Sequence, residues 1–203
     1  NGNEIGWFSF SVDPKQELST GTVVENQAWV NFDNTQFMPA PKDAPWINTI
    51  DAERPTSNIT ASLLNQTQIL LNWTGSDDPN GSGIANFDVY MSNSTKSDVS
   101  LSRGTMVTTG VIKVVPGETY RFYSIGRDNV GNVEAAPSTP DATITVPILV
   151  ASFTVTPALG SVPLDVLCND TSTGSPTAWN WSYGDGSGWI NVTDPALRNV
   201  THR

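Results

Sequence analysis

The chain has 203 residues, enough for one large or two small domains, and it carries 10 lysine and arginine residues against 20 aspartate and glutamate residues. The formal net charge of -10 argues against a nucleic acid partner, because a phosphate-binding surface needs clustered basic side chains. No apolar run approaches the ~20 residues that a membrane-spanning helix requires, so we expect no membrane-spanning segment in this chain.

Residue patterning predicts an all-β chain. Short runs rich in valine, threonine, isoleucine and aromatic residues are separated by glycine, proline, asparagine and aspartate at intervals of about 8 to 12 residues. No segment keeps the period of an amphipathic helix. We therefore predict tandem β-sandwich domains of immunoglobulin or fibronectin III type in an elongated array. The expected partners are neighbouring domains or copies of the same protein, with cell-surface carbohydrate as a further candidate.

Residues 1–53, the first block, contain two alternating segments at 6–12 and 22–32, which predict two half-buried strands joined by a turn at 13–21. In the motifs NQA (26–28), NFD (31–33) and NTID (48–51), the block resembles the closing strands of conserved repeat domains in very large prokaryotic surface proteins. These strands cannot build a sandwich alone. The resemblance therefore implies the C-terminal part of a β-sandwich domain that is completed from elsewhere.

Residues 54–147, the middle block, are predicted to form one complete seven-stranded sandwich. Five strands are expected at 58–63, 68–73, 85–92, 119–127 and 142–146. Trp73 and Tyr120 occupy the positions where such sandwiches carry a core aromatic residue and a corner tyrosine. In the motifs WTGSDD (73–78), FDVY (87–90) and YRFYS (120–124), the block resembles a fibronectin type III-like repeat of secreted bacterial and archaeal multidomain proteins.

Acidic residues are concentrated in loops that this fold brings to one end of the middle block. In a fibronectin-like sandwich the preceding linker and the loops after the second and sixth strands emerge together. Ca²⁺ takes about six to eight oxygen ligands, and clustered carboxylates without a cation repel one another. The sequence therefore predicts a Ca²⁺ site built from Asp77, Asp78, Asp128, Asn129 and Asn132 with the linker residues Asp51 and Glu53. The alternative is that these residues form ordinary Asx turns.

Residues 148–203, the third block, carry Phe153 at the start of a strand, Gly160 and PL (163–164) in a turn, DTS (170–172) after the next strand, and WNW (179–181) before YGDG (183–186). On these motifs the block resembles the N-terminal part of a polycystic kidney disease (PKD) repeat, an extracellular β-sandwich module. The resemblance implies that Cys168 is a buried strand residue and that Asp185 shapes a turn.

The tryptophans of the third block offer a second interpretation. A platform that stacks on sugar rings would require Trp179, Trp181 and Trp189 to be exposed, although strand alternation places one of the first two in the core.

Cys168 is not expected to be a reactive thiol, because a reactive thiol needs a base nearby. The single histidine, His202, lies at an end that we expect to fray.

Nine Asn-x-Ser/Thr sequons indicate N-glycosylation, although asparagine and threonine also suit turns and strand edges. Such a density with a single cysteine resembles archaeal surface glycoproteins, with a bacterial surface protein as the alternative. The candidate acceptors are Asn58, Asn65, Asn72, Asn80, Asn93, Asn169, Asn180, Asn191 and Asn199.

Enzymatic motifs are missing from the sequence. It has no nucleophile elbow, no phosphate-binding glycine loop and no zinc spacing, and one histidine excludes a conventional triad. We expect a non-catalytic structural or adhesive segment of a large extracellular or cell-surface glycoprotein. Two alternatives remain open: accessory modules of a secreted hydrolase, and a surface-layer or filament subunit whose incomplete ends are completed by strand addition between copies.

Overall fold

The computed structural model describes residues 15, 17–30, 38–40 and 45–203. Within this part of the chain every regular element is a β-strand except one 3₁₀ turn, and all strand pairs are antiparallel. The predicted all-β fold is confirmed. No helical segment in the described part is long and apolar enough to cross a membrane. The strand predicted at 6–12 lies outside the described residues.

The first block contains two short strand pairs. Its strands are β1 (Val23–Asn26), β2 (Ala28–Val30), β3 (Met38–Ala40) and β4 (Trp46–Thr49). Because β1 pairs with β4 and β2 pairs with β3, the single strand predicted at 22–32 is wrong. Gln27 alone separates β1 from β2, whereas five residues with a proline at each end separate β3 from β4.

The middle block is a sandwich of two sheets. One sheet has the order β5–β6–β9 and the other the order β11–β10–β7–β8. The five predicted strands are present with small shifts of their ends, together with β8 and β9. The strands are β5 (Thr56–Asn65), β6 (Gln68–Ser76), β7 (Ile84–Ser92), β8 (Val99–Thr105), β9 (Thr109–Lys113), β10 (Thr119–Asp128) and β11 (Ala142–Thr145).

Strand alternation builds the core between these two sheets. Ile69, Leu71 and Trp73 project from one face of β6 and are buried, and they belong to one cluster with Phe122 of the opposite sheet. Each such side chain contributes roughly 1.5–3 kcal/mol through its burial. Tyr120 is also buried, and its hydroxyl oxygen accepts a hydrogen bond from the Val115 amide at 3.0 Å. The predicted corner tyrosine is therefore in place.

The third block has a three-stranded sheet, β12–β13–β16, and a two-stranded sheet, β14–β15. Cys168, Trp179, Trp181 and Val192 form its small buried core. The expected burial of Cys168 is confirmed. The elements are β12 (Phe153–Thr156), β13 (Val166–Asp170), β14 (Trp179–Ser182), β15 (Trp189–Val192), the 3₁₀ turn (Pro195–Leu197) and β16 (Val200–His202).

Two expectations for the third block are wrong. Residues two apart on a strand share a face, so β14 buries both Trp179 and Trp181, and only Trp189 remains largely exposed, at 70%. A platform of three stacked tryptophans is therefore absent. His202 is not at a frayed end, because it lies in β16 and pairs in register with Val166.

Candidate functional site

Three loops meet at the end of the middle block that faces the first block. Asp51 comes from the linker before β5, Asp77 from the loop after β6, and Asp128 from the end of β10. Each of the three offers a carboxylate oxygen, and these oxygens lie within 4.8 Å of one another. Two oxygens bound to one Ca²⁺ at about 2.4 Å can be at most about 5 Å apart, so the spacing is compatible with a single shared ion.

Asp128 organises the loop before β11. The side chain is buried, and its Oδ1 accepts three backbone amides, from Val130 at 3.0 Å, Gly131 at 2.7 Å and Asn132 at 2.8 Å. Its Oδ2 accepts the Asn132 side-chain amide at 2.7 Å, and the same amide reaches the Asp51 carbonyl oxygen at 3.3 Å. These four hydrogen bonds hold the Asp128 carboxylate in one orientation.

Asp51 and Asp77 are fixed by the glycine-rich loop after β6. Asp51 Oδ2 accepts the Ser82 amide at 2.7 Å, and hydrogen bonding from Ser82 is the main reason that the pKa of Asp51 is lowered. Asp77 Oδ2 accepts the Gly83 amide at 2.7 Å. A Cβ at Gly81 would approach Asp77 Oδ2 to 2.7 Å and Asp78 Oδ1 to 2.8 Å, so a side chain there would displace these carboxylates.

Asp78 lies beside the three carboxylates, and its surroundings disfavour the ionised form of its side chain. Its Oδ1 is shielded from solvent and accepts no hydrogen bond from the protein. Desolvation, followed by the neighbouring Asp77 and Asp51 carboxylates, raises the pKa of Asp78. A cation at the group would offset the repulsion between these carboxylates.

Of the seven predicted ligands, the structure brings Asp51, Asp77 and Asp128 together as a group of carboxylates. Asn129 turns its side-chain amide toward the carbonyl oxygens of Ser82 and Gly83, at 2.8 and 3.0 Å, and so ties the two loops together. Asn132 donates to Asp128, and Glu53 is exposed and outside the group of three carboxylates.

Sequence reasoning missed Thr20, which links the first block to this joint. Its hydroxyl oxygen accepts the amides of Ala52 at 2.9 Å and Glu53 at 3.1 Å, and the hydroxyl donates to Asp51 Oδ1 at 3.4 Å. No local motif marks this residue, since its partners lie more than 30 residues later in the sequence.

The third block holds a second cluster of chemistry-bearing residues. His202 Nε2 lies 2.7 Å from Asp185 Oδ2, and the Tyr183 ring stacks on the His202 ring at 3.7 Å between centroids. Asp185 Oδ1 accepts the Ser187 amide at 2.9 Å, as expected of a turn-forming aspartate. Hydrogen bonding from Ser187, then from His202, lowers the pKa of Asp185 to about 2. Such a carboxylate is anionic at neutral pH and cannot act as a general acid.

The nine sequon asparagines all remain at least partly accessible. Asn93 and Asn169 are half-buried. Asn58, Asn65, Asn72, Asn80, Asn180, Asn191 and Asn199 are exposed. Two pairs of sequons face each other across strands: Asn58 lies opposite Thr74 and Thr60 opposite Asn72 in the β5–β6 pair, while Asn180 lies opposite Asn191 in the β14–β15 pair.

The chain is similar to curated proteins of low identity, among them an endoglucanase and a chitinase. No family model matches the chain. Endoglucanase B of Cellulomonas fimi is 30% identical over 105 residues, which cover 52% of this chain and 10% of that protein. Chitinase Chi52 of Paenibacillus xylanexedens is 25% identical over 222 aligned positions, which cover 97% of this chain and 37% of that protein. The chain therefore spans about a tenth of the length of the endoglucanase and about a third of the length of the chitinase.

Proposed function

We propose that this chain is a non-catalytic structural segment of an extracellular glycoprotein, in which Ca²⁺ stiffens the joint between the first and middle blocks. The observation that carries the proposal is the convergence of Asp51, Asp77 and Asp128 to within 4.8 Å at that joint. Asp51 belongs to the linker and the other two to the sandwich. A shared ion would therefore restrain the linker against the sandwich.

The surrounding contacts support a site that is organised before the ion binds. Backbone amides of residues 82, 83 and 130–132 already orient the three carboxylates. The uncompensated oxygen of Asp78 lies in the same loop. The remaining ligand positions of Ca²⁺ would be taken by water or by backbone carbonyl oxygens.

Calcium titration of the melting temperature tests this proposal. At a free Ca²⁺ concentration of 100 times Kd, binding to the native state alone adds about 2.7 kcal/mol, which raises the melting temperature of a block this size by more than about 10 °C. Asp77→Asn should abolish the rise, whereas Asp165→Asn, an exposed neutralisation in the third block, should retain it. A wild-type melting curve that does not move between chelator and excess Ca²⁺ would overturn the proposal.

A second candidate function is that of accessory modules in a secreted carbohydrate-active enzyme. The similarity to parts of an endoglucanase and a chitinase favours it. Trp189, at 70%, is more exposed than Phe153, at 59%, and its indole ring could stack on a sugar ring. The segment would then bind polysaccharide without acting on it.

Co-sedimentation with insoluble cellulose and chitin tests the second candidate. Wild-type protein should be depleted from solution, and Trp189→Ala should reduce that depletion. Trp46→Ala is the matched control, because Trp46 is 71% exposed but lies in the first block. Equal recovery of wild type and Trp189→Ala in the supernatant would exclude polysaccharide binding through this residue.

A further inference from the structure

The linker between the middle and third blocks is packed between two glycines. On one side, a Cβ at Gly117 would come within 2.9 Å of Ile148 Cδ1, and on the other, a Cβ at Gly174 would meet the Ile148 carbonyl carbon at 2.7 Å. Two residues later, Val150 and Thr173 exchange backbone hydrogen bonds of 3.2 and 2.9 Å. Both blocks therefore contact the linker closely, and the space beside it has defined walls.

A cleft of about 350 Å³ lies beside this linker, between the two blocks. Its volume is at the lower end of the range of about 300–1,000 Å³ that small-molecule sites have. The walls are largely apolar, and Leu63, Leu64 and Leu149 are 37%, 52% and 46% exposed. The described residues that line the cleft include no acidic or basic side chain. Such walls fit a neutral occupant that has apolar faces.

Asn65 lines the cleft from the turn between β5 and β6, and it begins the sequon NQT (65–67). Its Oδ1 accepts both the amide and the hydroxyl of Thr67, each at 2.9 Å, and these bonds fix the side chain. Its Nδ2 carries two hydrogens, one of which is donated to Gln68 Oε1 at 2.8 Å. The other hydrogen can be replaced without loss of these three hydrogen bonds.

Asn72 provides a contrast on the same sheet. It is exposed, and it alternates along β6 with the buried Leu71 and Trp73, so its side chain faces away from the core. Of the nine sequon asparagines, only Asn65 lines the cleft. A glycan on Asn65 would begin at the cleft, whereas a glycan on Asn72 would project from the outer face of the sheet.

We propose that Asn65 carries an N-linked glycan whose first sugar residues lie in the cleft between the middle and third blocks. This assignment rests on the proposed extracellular glycoprotein and adds the position and the role of one glycan. A neutral sugar ring has C–H faces that pack on leucine and proline, and its hydroxyl groups remain in contact with water. The glycan would cover Leu64 and Leu149 and restrain the third block against the middle block.

The covalent step is a glycosyl transfer by an enzyme outside this chain, from an oligosaccharide activated as a diphosphate ester. The anomeric C–O bond to the diphosphate breaks, and an N-glycosidic bond forms between the anomeric carbon and Asn65 Nδ2. The diphosphate leaves with the electron pair of the broken bond, and Nδ2 loses one proton to the enzyme. The remaining N–H still donates to Gln68.

Hydroxyl-radical footprinting of the same sequence with and without glycans tests the proposal. The full chain is secreted from a host that attaches N-glycans and is also produced in a host that does not. Glycopeptide mapping of the first product should find Asn65 occupied. Oxidation of Leu64 and Leu149 should be slower in the glycosylated protein, whereas Leu159, which is 90% exposed, should be oxidised equally in both.

Matched variants assign the effect to one glycan. Glycosylated Asn65→Gln should lose the protection of Leu64 and Leu149, and glycosylated Asn72→Gln should retain it. The two unglycosylated proteins, wild type and Asn65→Gln, measure any effect of the substitution on the turn itself, and subtracting that effect isolates the contribution of the glycan.

The possible failures are distinguishable. An unmodified Asn65 beside other occupied sequons would overturn this proposal and leave the glycoprotein proposal intact, whereas no glycan at any sequon would overturn both. An occupied Asn65 with unchanged oxidation of Leu64 and Leu149 would show that the glycan lies outside the cleft, which also overturns the proposal. The calcium titration is independent of these outcomes, because the carboxylates lie at the Thr56 end of β5 and Asn65 at the other end.

Discussion

Asp128 illustrates how one side chain can serve both the fold and a binding site. Its Oδ1 accepts three successive backbone amides, from Val130, Gly131 and Asn132, and so fixes the turn that follows β10. The same carboxylate lies against Asp51 and Asp77. Replacing it would therefore disturb the loop as well as the proposed ion, which is why Asp77 is the better position for testing calcium.

A prediction at the residue scale concerns acid unfolding of the third block. The pKa of Asp185 is lowered to about 2, chiefly by the hydrogen bond from Ser187. A lowered native pKa means that the ionised form stabilises the fold above the unfolded pKa of about 4 and that this contribution is lost as the pH falls toward about 2. Asp185→Asn should therefore unfold at a lower temperature than the wild type near neutral pH, and the difference should shrink in acid.

Calorimetric melting of both proteins across that pH range checks this prediction. Ser187→Ala is a companion variant for the same measurement. It removes the Ser187 hydroxyl but keeps the backbone amide that donates to Asp185, and so separates the two contributions. A difference in melting temperature that stays constant from neutral pH to strong acid would contradict the assigned role of Asp185.

At the scale of elements, the two sheets of the middle block are joined at one edge by a carboxylate. Glu134 Oε1 accepts the Ser57 amide of β5 at 2.8 Å, and its Oε2 accepts the Gly126 amide of β10 at 2.8 Å and the Ser57 hydroxyl. Ser57 also receives a hydrogen bond from the buried Ser124 hydroxyl at 2.9 Å. This side chain therefore bridges β5 and β10, which belong to different sheets.

Removal of this bridge should weaken the sandwich. Glu134→Ala leaves two backbone amides and a hydroxyl without an acceptor, and we expect a loss of about 1–3 kcal/mol in the free energy of unfolding. Glu118→Ala is the matched control, because Glu118 is outside the core and accepts the Ser94 hydroxyl between exposed side chains. Urea unfolding curves that place the two variants at the same midpoint would refute the bridging role.

At the scale of the whole molecule, burial is concentrated in the middle block. Its core cluster has eleven buried hydrophobic residues, whereas the cluster of the third block has four. Among residues 15, 17–29 and 45–53 of the first block, for which burial is described, none is buried, and Trp29 and Trp46 are 59% and 71% exposed. Stability therefore resides mainly in the sandwich between residues 54 and 147.

Glycan occupancy is predicted at the same scale. Peptides of this chain recovered from native protein should carry glycans at these sequons, because seven of the nine sequon asparagines are exposed. Asn180 and Asn191 are directly opposite on β14 and β15, where Cβ atoms lie about 5 Å apart, so we expect at most one of the two to carry a glycan in a given molecule. Glycopeptide mapping measures both properties. Unmodified peptides at all nine sequons would remove the glycoprotein argument, and frequent double occupancy of Asn180 and Asn191 would contradict the exclusion.

Local patterning was sufficient for the strands and for the burial of individual side chains. Alternation located the middle-block strands and placed Trp73 in the core, because the faces of a strand alternate regardless of what it packs against. Alternation also requires that Trp179 and Trp181 share a face, because they are two residues apart on one strand. The expectation that just one of them is in the core misapplied this rule. The three carboxylates of the joint were predicted together because the ends of a sandwich bring particular loops close in space.

Tertiary structure alone decided the contacts that join distant parts of the chain. The interruption between β1 and β2 depends on pairing with β3 and β4, and Thr20 and Glu134 find partners 32 and 77 residues away. Asn129 and Asn132 have side chains that can bind Ca²⁺, but in the fold their amide groups donate hydrogen bonds instead. Asn129 donates to the Ser82 carbonyl oxygen and Asn132 to the Asp128 carboxylate. Sequence by itself determined which residues could pair or bind, whereas the packed fold determined which partners each one met, because hydrogen bonds depend on positions that only closure of the chain creates.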